Sequence, residues 1–185
     1  KTAGDRFGSS VSGDLPDVLK GETEPTVIIG ATQGGNGGSG YVESRDRVTL
    51  LVQRVFMGDQ DYDALGFQVR VLGDVNGDGV LDLGIGTDPR NADVATAPGY
   101  ALVYCGSTGA LLHRFEGGEI GSGYGMELAG VGDVDADGYH DVAVGEPFSD
   151  ATGTDSGSVH VFSGQSGELI ATVHGPSTGT LFGLH

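Results

Sequence analysis

Short apolar runs alternate with stretches rich in Gly, Asp, Ser and Asn along the whole chain. Runs that close on glycine recur at Val27-Ile28-Ile29-Gly30, Leu83-Gly84-Ile85-Gly86 and Val142-Ala143-Val144-Gly145. Ser158-Val159-His160-Val161-Phe162 alternates residue by residue, the period of a strand with one buried face, which places His160 on the wet face. No segment keeps a period of 3.6 with capping residues, and 36 glycines in 185 residues interrupt any helix. The pattern predicts strands near Phe67–Leu72, Asp82–Gly86, Tyr100–Tyr104 and Leu111–Phe115. A second set falls near Met126–Val131, Asp141–Gly145, Ser158–Phe162 and Leu169–His174.

The pattern repeats. An apolar or aromatic residue followed by Gly stands at Phe7-Gly8, Leu65-Gly66, Tyr124-Gly125 and Phe182-Gly183, in steps of 58, 59 and 58 residues. A Gly opens a strand at Gly40, Gly99 and Gly157, and a Gly-bounded turn follows at Gly106–Gly109 and Gly164–Gly167. Four short strands per repeat, punctuated by Gly, is how a propeller blade reads. The expected fold is all-β, a partial β-propeller of three repeats with four antiparallel strands each. The repeats are about 1–58, 59–117 and 118–177, with 178–185 starting a fourth.

Two loops carry the candidate chemistry. Asp74, Asn76, Asp78 and Asp82 occupy positions 1, 3, 5 and 9 of the first, with Gly79 at position 6. Asp133, Asp135, Asp137 and Asp141 repeat that spacing with Gly138. Carboxylates this close repel one another, and a hard divalent cation removes the penalty. Ca²⁺ takes 6–8 oxygens at about 2.3–2.6 Å, so two Ca²⁺ sites are expected. Val80 and Tyr139 at position 7 would contribute main-chain carbonyls. An EF-hand needs Glu at position 12, where this chain has Ile85 and Val144, so each loop runs into a strand instead. The first repeat lacks the spacing: Asp14, Asp17 and Glu22 surround Pro16 and Lys20, whose cation would sit in the cage. That repeat is expected to be metal-free, an irregular site at Glu22 and Glu24 being the alternative.

On these residues the chain resembles the FG-GAP repeats of the integrin α-subunit head, a calcium-binding β-propeller. Phe-Gly is intact at Phe7-Gly8 and Phe182-Gly183 and relaxed at Leu65-Gly66 and Tyr124-Gly125. Gly145-Glu146-Pro147 and Gly86-Thr87-Asp88-Pro89 stand where the family has Gly-Ala-Pro, and Gly30-Ala31-Thr32 is looser still. The resemblance implies a non-enzymatic, extracellular or cell-surface module that binds a protein, with adhesion as its broad role. A glycan-binding or accessory module of a secreted carbohydrate- or lipid-active enzyme is the alternative, since similar propellers occur there. Three repeats do not close a ring of 4–8 blades. Further blades of the same protein, or self-association, are expected to cover the open faces. Tyr41, Tyr100 and the loops near Asp88–Pro98 and Phe148–Asp155 are the candidate ligand contacts.

Composition narrows the partners. The formal charge is −17, with 26 acidic and 9 basic residues, which argues against nucleic acid and anionic membranes. No apolar stretch is long enough to span a bilayer. Cys105 is alone, so no intrachain disulfide forms, and its place matches Ser163 one repeat later, a small buried position. Gly35-Asn-Gly37-Gly-Ser-Gly40 fits G-x-G-x-x-G, but Tyr41-Val42 after it read as strand, not helix. The histidines have no metal-ligand spacing, and His140 at loop position 8 is expected to point outward. Asp59, Asp61 and Asp63 read as a solvated charge cluster, and no nucleophile elbow occurs.

Overall fold

The computed structural model describes residues 6–16, 25–33, 38–88 and 97–184. The segment around Lys20, Glu22 and Glu24, most of the 88–98 loop, part of the Gly35–Gly40 motif and His185 lie outside these residues. Among the described residues, twelve strands form three four-stranded sheets, each a meander whose neighbours in sequence pair antiparallel. Blade 1 is β1 (Phe7–Pro16), β2 (Pro25–Ala31), β3 (Tyr41–Asp46) and β4 (Val52–Met57). Blade 2 is β5 (Gln68–Gly73), β6 (Asp82–Gly86), β7 (Tyr100–Tyr104) and β8 (Leu111–Glu116). Blade 3 is β9 (Glu127–Gly132), β10 (Asp141–Glu146), β11 (Ser158–Phe162) and β12 (Leu169–His174). β1 lies beside β5 and β5 beside β9, so the first strands are innermost, as in a propeller.

The core lies between blades. Alternation sends every second side chain forward to the next blade and the others back to the previous one. Ile28, Val42 and Phe56 of blade 1 meet Val69, Leu83, Ile85 and Leu102 of blade 2. Leu72, Ala101, Val103 and Phe115 of blade 2 meet Leu128, Val142 and Val144 of blade 3. One aromatic pair recurs across each seam: Phe56–Tyr104 with centroids 4.5 Å apart and Phe115–Phe162 at 4.1 Å. Such a pair adds about 0.5–1.5 kcal/mol beyond its buried area. β4 and β8 also clasp the next blade's Gly-bounded turn. The Arg54 guanidinium donates to the Gly106 and Ser107 carbonyls at 3.0 and 2.9 Å, and His113 Nε2 donates to the Gly164 carbonyl at 2.5 Å.

The alternation in β11 runs opposite to expectation. His160 shares a face with Val144, turned to blade 2, and Val159 and Val161 point the other way. Its Nε2 sits 2.9 Å from Glu146 Oε2, Nδ1 is 3.1 Å from Thr172 Oγ1, and its ring tilts against Tyr124. Polar partners at both ring nitrogens and an aromatic neighbour make the inner face habitable for an imidazole, which hydropathy alternation does not register.

Glycine fixes how closely blades approach. A β-carbon on Gly86 would fall on the Gly125 carbonyl oxygen and 2.7 Å from Leu128 Cδ1. At the same motif position, β-carbons on Gly30 and Gly145 would strike the Gly66 and Gly183 carbonyls. Gly86→Ala is therefore expected to destabilise the chain by about 1–3 kcal/mol through overpacking. Gly118→Ala, where a β-carbon meets nothing within 4 Å, is expected to be near neutral. Urea-unfolding midpoints of the two variants check the contrast.

Candidate metal centre

Both loops leave the innermost strand of a blade and enter its second strand, linking β5 to β6 and β9 to β10. The first carboxylate of each organises the turn. Asp74 Oδ1 accepts the Gly77 and Asp78 N–H groups at 2.7 and 3.1 Å, and Oδ2 accepts Gly79 N–H at 2.8 Å. Asp133 accepts Asp137 N–H and Gly138 N–H, both at 3.0 Å. At position 3, Asn76 Oδ1 accepts Asp78 N–H at 3.0 Å and Asp135 Oδ1 accepts Asp137 N–H at 3.1 Å. Gly79 and Gly138 at position 6 both take positive φ, +83° and +95°.

The ninth residue ties loop to blade. Asp82 and Asp141 are both fully buried. Asp82 Oδ2 accepts Val75 N–H at 2.7 Å and Oδ1 accepts Gly106 N–H at 2.9 Å. Asp141 repeats this with Val134 N–H at 2.7 Å and Gly164 N–H at 2.9 Å. The Gly-bounded turn between the third and fourth strands is thus part of the site. Its recurrence was visible in sequence, but its link to the aspartate depends on the blade closing. The same turn holds position 5: Asp78 Oδ2 accepts from Ser107 Oγ at 2.7 Å and lies 3.3 Å from Cys105 Sγ. Asp137 has Ser163 Oγ at 3.4 Å, so Cys105 and Ser163 occupy matching places, buried as expected.

Electrostatics records the crowding. Burial, opposed by the Gly106 and Val75 N–H groups and aided by the Asp78 charge, holds Asp82 above the usual carboxylate range. Asp135 is also raised, by desolvation and by repulsion from Asp137, Asp141 and Asp133, against the Asp137 N–H that favours its charge. Asp78 lies lower than usual: burial pushes it up, but hydrogen bonds from Ser107, Val80, Cys105 and Asn76 outweigh that.

The donors fit a cation in the second loop. Carboxylate oxygens of Asp133, Asp135 and Asp141 all lie within 4.8 Å of one another. Two ligands of one Ca²⁺ stand at most about 5.2 Å apart, twice the longest Ca–O distance, and every pair here falls inside that limit. Asp137 is outside this group and leans to Ser163. At position 7 the Val80 and Tyr139 N–H groups donate to Asp78 and Asp137 Oδ1, both at 2.9 Å, which ties that residue to position 5.

Two other expectations need correction. Asp63 is not solvated: it is buried and accepts Tyr100 O–H at 2.7 Å and the Gln60 and Asp59 N–H groups at 2.9 and 3.1 Å. Tyr100 is buried in that same network under Arg114, whose guanidinium lies 4.0 Å from its ring centre, so its ring is no ligand contact. In the 148–155 loop, Asp155 N–H donates to Asp150 Oδ1 and Gly157 N–H to the Ser149 carbonyl, giving it a fixed shape.

Residues 125–162 match the FG-GAP repeat family. The chain is 32% identical to integrin alpha-PS2 of Drosophila melanogaster over 84% of its own length and 11% of that protein. Integrin alpha-PS5 of the same organism is 34% identical over 83% of this chain and 14% of that protein. Human integrin alpha-7 is 28% identical over 91% and 14%. The chain thus spans about a seventh or less of these relatives. Among solved structures, a rhamnogalacturonan lyase of Bacillus licheniformis superposes with TM-score 0.54 at 17% identity, covering 97% of this chain and 38% of the other. Rhamnogalacturonan lyase YesW gives 0.50 at 15%, covering 92% and 36%. At that identity the likeness concerns the fold alone.

Asp141→Asn tests the ninth position without metal. An amide keeps one acceptor and turns an NH₂ toward a buried N–H. A loss of about 1–3 kcal/mol is expected for the stranded donor, read from denaturation in EDTA.

Proposed function

Taking this chain as an integrin-α-like FG-GAP propeller segment, we propose that it is a calcium-stabilised, non-enzymatic binding module that works outside the cell. The observation that carries the reading is the convergence of Asp133, Asp135 and Asp141 in a loop whose ligand spacing recurs one blade earlier. Asp133, Asp135, Asp137, Asp141 and the Tyr139 carbonyl would hold one ion. Asp74, Asn76, Asp78, Asp82 and the Val80 carbonyl would hold the other. The ions' work is structural: they cancel repulsion among the carboxylates and pin the first strand of a blade to the second. Calcium outside cells is millimolar and fills loops of modest affinity. The integrin likeness supports a protein ligand and a role in adhesion, with the fixed 148–155 loop as one contact surface. A glycan array returning a defined sugar specificity would move the ligand class to carbohydrate.

Titration of the chain with CaCl₂ is expected to bind two equivalents and to raise the unfolding midpoint in a saturable way. At a hundredfold excess over Kd each site adds about 2.7 kcal/mol. Asp135→Ala should leave one equivalent. No heat of binding and a midpoint indifferent to EDTA would remove calcium from the reading.

Acid should reverse the benefit. Protons compete for the ligands, so calcium affinity is expected to fall as pH drops, beginning above the range of an ordinary aspartate because Asp82 and Asp135 are raised. In EDTA these two groups act with the opposite sign. A raised carboxylate binds protons better folded than unfolded, so its stabilisation is present at low pH and is lost as pH rises through the folded value. Unfolding midpoints between about pH 4 and 7, with and without calcium, should therefore diverge as pH rises.

A further inference from the structure

The two loops touch, although they belong to different blades. The Asp74 main-chain carbonyl accepts the His140 N–H at 3.1 Å. That N–H and the Tyr139 carbonyl belong to one peptide unit. The unit is planar, with the two groups pointing in opposite directions, so Asp74 sets the direction of the Tyr139 carbonyl. Asp74 is position 1 of the first loop, and the Tyr139 carbonyl is position 7 of the second. The Tyr139 ring lies against Gly77, position 4 of the first loop, with ring carbons 2.6–3.4 Å from where a β-carbon would stand. The exposed His140 ring lies across Gly73, the residue before Asp74. Val75 Cγ1 closes to 3.0 Å from the β-carbon position of Gly164, whose N–H holds Asp141.

We infer that the two loops take up calcium as a coupled pair, each raising the affinity of the other; this rests on the calcium reading above. An ion in the first loop fixes the Asp74 main chain. It thereby orders the peptide that presents the Tyr139 carbonyl and the ring above it. The second ion then meets a loop whose ordering cost is already partly met, which is positive cooperativity without a change of fold. Linkage makes the effect reciprocal. The second loop supplies an internal control: its position 4 is Ala136, exposed and at φ +64°. The turn itself therefore accommodates a β-carbon at that position. At Gly77 (φ +76°) the same β-carbon meets Tyr139, so Gly77→Ala should be felt chiefly at the second loop.

Calorimetric titration of the chain with CaCl₂ tests this. Asp78→Ala, which disables the first loop, is expected to weaken binding at the second by at least about fivefold, and Asp135→Ala to weaken the first by the same factor. Gly77→Ala should weaken the second loop, and that loss should disappear in the Gly77→Ala/Tyr139→Ala double variant, which retains the main-chain carbonyl. Should Asp78→Ala fail to fold in EDTA by circular dichroism, the Gly77–Tyr139 cycle decides alone. Two equivalents that fill independently, with the second-loop Kd unmoved by these variants, overturn the coupling and leave the calcium reading intact. Absence of calcium binding in the unaltered chain overturns both.

Discussion

Backbone meets backbone where one blade joins the next, and the rest of the molecule is arranged around that contact. The carbonyls of Gly66, Gly125 and Gly183 sit where β-carbons of Gly30, Gly86 and Gly145 would be. Further out, Gly130 makes the same room for the Leu72 carbonyl, and within blade 3 Gly164 does so for that of His140. Within each blade a main-chain hydrogen bond holds the residue whose carbonyl reaches across: Gly66 N–H to the Gly86 carbonyl and Gly125 N–H to that of Gly145. Side chains at these points would wedge the blades apart. The aromatic pairs Phe56–Tyr104 and Phe115–Phe162, and the Arg54 and His113 clasps, work only at the spacing the glycines allow.

That spacing also creates the electrostatic difficulty. Closing a blade brings the ninth-position aspartate under the Gly-bounded turn, where it is stripped of water and given two N–H donors in exchange. Those bonds satisfy the buried oxygens. They do nothing for the exposed mouth, where desolvation and the charges of its neighbours hold Asp135 above its ordinary range. Stability and charge therefore divide the loop between them. Asp82 and Asp141 tie the loops to the blade through buried N–H donors, while Asp135 stands at the crowded, exposed mouth.

Much of this was legible in the chain because the period of the repeat and the geometry of the blade coincide. Strands near Tyr100–Tyr104 and Ser158–Phe162 fall where the pattern places them, since Gly and Asp turns leave few alternatives. The ligand spacing of the loops is likewise local. What sequence did not disclose depends on contacts between strands and loops far apart in the chain. Asp63 reads as a charge on the surface until Tyr100, 37 residues later, folds over it. His160 reads as a solvent residue until Glu146 and Thr172 are found beside it. Ser107 and Gly106 look like turn filler, and only the closed blade aims them at Asp78 and Asp82.

The two open faces differ by an ion pair. On the forward face of blade 3, Val159 pairs with Val173 and Val161 with Ala171, positions equivalent to Ala101, Phe115, Val103 and His113, which blade 3 covers in blade 2. Such a face calls for an apolar counterpart like the rear of blade 2, where Val69, Ile85 and Leu102 stand. The rear of blade 1 keeps Val27, Ile29 and Val55 but carries Glu43 and Arg45 at the places of Leu102 and Tyr104, joined at 2.5 Å, with Arg45 5.6 Å from the Phe7 ring centre. Seating a second copy head to tail would press this ion pair against Val159 and Val161. Desolvation of both charges would then work against whatever apolar area was gained. A counterpart whose rear face carries aliphatic side chains at those two places, as blade 2 does at Leu102, meets no such cost.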